Sequence, residues 1–163
     1  MPDLAQLYDE DFVRWTEIQA KALRDAARAG ANLPLDWENL ADEVEDLGKS
    51  RRSEMNNRIM TIIEHLLKLE CSPASDPRRG WVRTVARERL HVEDVLKENP
   101  SLRREAADAV EAGMRRAAKL VALDFHLYDE AAPAVLAKLA SASYTEEQVL
   151  GDWFPAEAGA TAA

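Results

Sequence analysis

The stretch DWENLADEVEDLGKSRRSEMNNRIMTIIEHLLKLEC, from Asp36 to Cys71, decides the fold. Leu40, Val44, Leu47, Met55, Ile59, Ile62, Leu66 and Leu69 follow one another at steps of three or four, with Arg51 standing in for the step between Leu47 and Met55. The interval from Leu40 to Leu69 is crossed in steps of about 3.6 residues, the α-helical period. Gly48 lies inside this run, where glycine costs about 1 kcal/mol against alanine and marks a place for a kink or break. A loop would lose the phase, so the pattern predicts one helix. At about 1.5 Å per residue it is on the order of 50 Å long, and the other helices must pack along it. Asp36 is its expected N-cap and Ser72-Pro73 its end.

Upstream, a first helix is expected after Asp9, with Phe12, Trp15, Ile18, Ala22, Leu23 and Ala26 inward and Gly30 as its stop. Downstream, Asp76-Pro77 and Asn99-Pro100 are cap-and-proline start signals. They open a third helix to about Glu98, with Trp81, Val85, Val92, Val95 and Leu96 inward, and a fourth to about Asp124. The stripe of the fourth, Leu102, Ala106, Ala109, Gly113, Ala117 and Leu120, is small enough to admit a close neighbour. Pro133 begins a short helix through Leu139, and Thr145 to Gln148 is a capping box for a last one. Trp153 and Phe154 are placed to dock on the bundle. With no alternating run long enough for a strand, the chain reads as all-α: an antiparallel bundle of four main helices around the long one, plus short C-terminal helices. Residues 1–155 are expected to form a single domain, and 156–163, with nothing to bury, a disordered tail.

Among 163 residues, 21 basic and 30 acidic side chains give a net charge of −9. That balance opposes binding to phosphate backbones and anionic lipid, so nucleic acid and membrane are not expected partners. The start, MPDLAQLYDEDF, has neither the basic nor the apolar region of a signal peptide, and a cytoplasmic location is the expectation. The lone Cys71 reads as a small buried hydrophobe.

Five phrases then carry a resemblance: YDEDFVRWTEIQAKALR (Tyr8 to Arg24), DWENLADEVEDLGKSRRSE (Asp36 to Glu54), HLLKLE (His65 to Glu70), WVRTVARER (Trp81 to Arg89) and YTEEQVLGDWFP (Tyr144 to Pro155). In this order they resemble the bacterial family of the domain of unknown function twenty-nine. The resemblance implies a helical bundle and brings no reaction, ligand or catalytic residue. The chain departs from the family at Arg87, where an acidic residue tends to stand, and around Phe125 to Leu139.

Charges that fall in or beside the apolar stripes must pair or reach water. On the wheel of the long helix these are Glu43, Glu54, Arg58 and His65, and on the third helix Glu88 and Arg89, so a polar cluster between the two helices is expected. Its residues either pair and fix register or form a ligand site. The metal alternative rests on Glu88 and His91, a Glu-x-x-His pair on one helix face, with His65 as a further ligand. A second Glu-x-x-His, needed for a di-iron site, is absent. Nucleotide loops, nucleophile elbows and paired cysteines are missing too.

No catalytic residue or cofactor is assigned, and whether the protein is an enzyme is left open. The preferred reading is a non-catalytic interaction or oligomerisation module, pairing with itself or another protein. Leu67, Leu90 and Ile63, off the main stripe, are either its contact residues or a second buried face. The alternative is a metal- or small-ligand-binding bundle built on the polar cluster.

Overall fold

The computed structural model describes residues 1–156. They form seven α-helices and no strand: α1 (Leu4–Glu10), α2 (Phe12–Arg28), α3 (Trp37–Cys71), α4 (Arg78–Glu98), α5 (Ala106–Leu127), α6 (Pro133–Ser141) and α7 (Glu146–Leu150), with a 3₁₀ turn at Pro100–Glu105. The expected tail lies outside the described residues, apart from Ala156. The chain divides into two compact units, one of Met1–Met55 with Asp94–Arg104, the other of Asn56–Glu93 with the chain from Glu105 onward.

The long helix is unbroken. Asp36 starts it, accepting from the Asn39 backbone N–H at 3.3 Å and from the Asn39 side chain at 2.6 Å. Gly48 does not interrupt it. In the first unit α2 runs antiparallel to α3: Arg24 meets Asp42 at 2.7 Å and Glu45 at 3.3 Å, while Glu17 meets Arg52 at 3.3 Å. Between these contacts a Cβ on Gly48 would overlap Thr16 Oγ1 and stand 3.4 Å from Thr16 Cβ. The glycine is therefore a point of close helix approach.

That approach shifts the buried faces from those expected. On α2 they are Val13, Thr16 and Ala20, and Ala22 is exposed. Phe12 and Trp15 stack at 5.8 Å, with the edge of Tyr8 on both, beneath the extra helix α1 that Asp3 caps. On the first half of α3, Ala41, Gly48 and Met55 are inward, and Leu40 and Leu47 face solvent.

The expected N-cap at Asn99 is otherwise employed. Buried Asn99 accepts from Val13 N–H at 3.1 Å and donates to Val95 O at 2.9 Å. Asp11, the cap of α2, takes Ser101 N–H at 2.7 Å and its hydroxyl at 2.9 Å. The chain winds as a 3₁₀ turn there, and α5 begins only at Ala106.

In the second unit α3 is buried on two sides: Ile59, Ile62, Ile63, Leu66, Leu67 and Leu69 are all inaccessible. Ile63 and Leu67 thus cover a second inner face, and of the three off-stripe residues only Leu90 is exposed. A Cβ on Gly113 of α5 would meet Ile63 Cδ1 at 3.0 Å and Ile59 Cγ2 at 3.6 Å, so the small stripe of α5 lies directly against α3. Val121 and Phe125 continue that stripe inward, and Leu120 is exposed.

Candidate functional site

Arg58 on α3 and Glu88 on α4 are both wet at one end and apolar along the stem, which is where long charged side chains can lie beside a core. The helices run antiparallel here, and Arg58 Nη1 donates to Glu88 Oε2 at 3.0 Å and to His91 Nδ1 at 2.8 Å. Arg87 Nε donates to the other carboxylate oxygen at 3.2 Å. The Glu88 side chain is only 10% exposed. Burial pushes its carboxyl up, but the hydrogen bonds from Arg58 and Arg87 outweigh it and hold the group below the usual carboxylate range. Glu88 is therefore an anion clamped between two guanidinium groups.

His65, one to two turns further along α3, directs Nδ1 to the Thr61 carbonyl at 2.8 Å. Burial lowers its pKa, and Lys68 and Arg87 add to that against the Thr61 bond and Glu88. The ring is thus neutral at ordinary pH and belongs to the electrostatic surroundings of Glu88 without bonding to it.

Three of the expected members stand elsewhere. Glu43 and Glu54 lie in the first unit, Glu43 exposed and Glu54 paired with Arg51 at 3.3 Å on its own helix. Arg89 turns toward the C-terminal segment, donating to the carbonyls of Val149 at 2.9 Å, Gln148 at 2.8 Å and Trp153 at 2.6 Å. Its guanidinium also covers the Phe154 ring at 4.8 Å. The reason is chemical: five donors in one plane suit a cluster of free carbonyls at a short helix end better than a single carboxylate.

As for metal, Arg58 holds Glu88 Oε2 and His91 Nδ1, so both residues of the Glu-x-x-His pair are engaged by a guanidinium. Among the described residues no group of three or more His, Cys, Asp and Glu side chains could hold an ion. Glu88 and His91 are accordingly arranged around a guanidinium, and His65 is engaged with the Thr61 carbonyl instead. The cluster's evident capacity is to fix the register of α3 against α4.

Two polar arrangements have no side-chain signature in the sequence. Arg78, buried at the start of α4, donates to Ser72 O at 3.2 Å and to Leu69 O, closing the C-terminal end of α3. Its charge suits the negative end of that helix. The Tyr144 hydroxyl donates to Glu70, and burial together with that carboxylate pushes the phenol pKa up.

The family model described as "Domain of unknown function DUF29" matches residues 7–154. The chain belongs to this family. No curated protein matches the chain. The DUF29 chain is also similar to an alpha-helical protein of unknown function from Rhodospirillum rubrum, known from its crystal structure. The two are 23% identical over 94% of each chain, with a TM-score of 0.69, a likeness of fold alone. Among the described residues no helix of this DUF29 protein is long and apolar enough to cross a membrane.

Proposed function

We propose that this DUF29 protein is a non-catalytic association module that pairs with a second copy of itself through the first half of α3. The observation that carries the reading is the exposure of Leu40 (40%) and Leu47 (51%), on either side of Glu43 and followed by Arg51. Residues seven apart share one helix face. This half of α3 is acidic from Asp36 to Asp46 and basic from Lys49 to Arg52. An antiparallel two-fold pairing centred on Leu47 then sets Leu47 on Leu47, lays each Leu40 along the stem of Glu54 and brings each Glu43 against Arg51 of the other copy. That is the self-complementarity an isologous contact requires. Leucine burial supplies the affinity, and the exposed ion pairs, worth about 0.2–1 kcal/mol each, set direction. The free thiol of buried Cys71 suits a reducing compartment, and we place the module in the cytoplasm.

Sedimentation equilibrium of the full chain tests this. A dimer is expected, converted to monomer by Leu47→Asp, weakened by Glu43→Arg and restored in the Glu43→Arg/Arg51→Glu swap. A wild-type chain that stays monomeric at about 100 μM, a concentration at which even weak complexes form, overturns the reading, as does a dimer indifferent to Leu47→Asp.

A further inference from the structure

In the second unit, between the end of α3, the start of α4 and the end of α5, lies a cavity of about 310 Å³. Its walls are Trp81, Tyr128 and Phe125, with Pro77 at one edge. Phe125 is buried and Tyr128 is 74% exposed, which makes the first the floor and the second the rim. The size is that of a small-molecule pocket. Three aromatic side chains line this one space, and the π-face of such a ring attracts an organic cation.

The charges point the same way. Lys68 and Asp124 line the cavity and are paired with each other at 2.8 Å. Glu130, the remaining charged lining residue, accepts the Ser72 hydroxyl at 2.8 Å through Oε2. Among the described residues its other oxygen has no protein partner. The lining itself carries two carboxylates, Asp124 and Glu130, against one ammonium, Lys68, beside aromatic walls.

We propose that this cavity binds a small organic amine in its ammonium form, the cation held by Glu130 and the faces of Trp81 and Tyr128, with an apolar or aromatic body over Phe125. A cavity of about 310 Å³ has room for more than a bare ammonium group, so the body is part of what is recognised.

Benzylamine is the probe. Its isosteres separate the contributions: benzyl alcohol keeps the body without the charge, benzoate reverses the charge, and an N-acetylated lysine amide keeps the charge on a thin chain. With 5-fluorotryptophan in the full chain, Trp81→Phe assigns one of four ¹⁹F resonances. A saturable shift of that resonance by benzylamine is expected, with at least about tenfold weaker binding of benzyl alcohol and the blocked lysine, and none of benzoate. Glu130→Gln should weaken benzylamine by about tenfold. Tyr128→Ala, at an exposed position where folding is not at stake, should weaken it severalfold. Benzyl alcohol, benzoate or blocked lysine binding as well as benzylamine overturns the proposal. So does the absence of a saturable shift at Trp81, or affinity unchanged in both variants.

Discussion

Thr16 of α2 fills the space that any side chain on Gly48 of α3 would need. In an ordinary helix interior Gly→Ala is worth about 1 kcal/mol in favour of alanine. Here Gly48→Ala is expected to reverse that sign and cost about 1–3 kcal/mol, the usual range for overpacking. Denaturant unfolding should show the loss, and Thr16→Ala in the same chain should recover part of it, since the crowded atom is the Thr16 hydroxyl. A stabilised single variant would mean that α2 is free to move away.

Arg58→Met leaves Glu88, 10% exposed, with Arg87 as its remaining charged donor. The expected cost is about 1–3 kcal/mol, discounted from that of a fully buried pair because Arg58 itself is 29% exposed. In a double-mutant cycle with Glu88→Gln the two losses should be strongly non-additive. Additive losses would show that the ion pair contributes nothing as a pair.

His65 gives the chain a pH dependence. Its folded pKa lies below the ordinary histidine value of 6.5, so between the two the unfolded chain binds more protons than the folded one. Stability is therefore full above about pH 6.5 and falls as pH drops through the folded pKa. The charged groups that act on the ring are Lys68 on its own helix and Glu88 and Arg87 on α4. Melting temperature measured from pH 7.5 to 5.5 should fall less steeply in His65→Gln than in the parent; an identical slope would remove His65 from the account. Glu88, whose folded pKa is also depressed, loses its contribution only lower, as pH falls below the ordinary glutamate value of 4.5.

Asp129 follows α5 with φ 56°, the left-handed conformation that usually belongs to glycine. The Glu130 N–H then reaches back to Phe125 O at 2.7 Å. Asp129→Val should cost about 1–2 kcal/mol through its branched Cβ, and Asp129→Gly should be tolerated or mildly stabilising. Thermal melts of the two variants check this; equal melting temperatures would show that the turn relaxes.

These features differ in how legible they were. Starts and stops of helices are local chemistry, and Asp36, Pro133 and the Thr145 capping box all act as their types require. Faces are not local. Where two helices approach closely the inward residues are small, so ranking by hydrophobicity selects the wrong side: Leu40 and Leu47 in place of Ala41 and Gly48, Phe12 and Trp15 in place of Val13 and Thr16. The same phase error drew Glu43 and Glu54 into the expected cluster. Arg58 and Glu88 were legible as neighbours because charges beside two antiparallel apolar stripes have few partners except one another, whereas His91, read only as a metal candidate, joins them through Arg58. Arg89 and Arg78 were not, because their acceptors are backbone carbonyls, which every residue carries and no pattern of side chains announces.

The two units interleave along the chain: the first needs Asp94–Arg104, which follow most of the α3 and α4 residues belonging to the second. During synthesis the opening helices cannot settle when they emerge, because Asn99 and Ser101, the partners of Val13 and Asp11, are made some ninety residues later. The second unit waits longer still, until Trp153 supplies the last of the three carbonyls for Arg89. No single cut releases either unit as one piece, so a nascent chain arrested midway exposes both sets of apolar faces at once. Such a protein depends on rapid completion or on a chaperone in a way that a tandem of two contiguous modules does not.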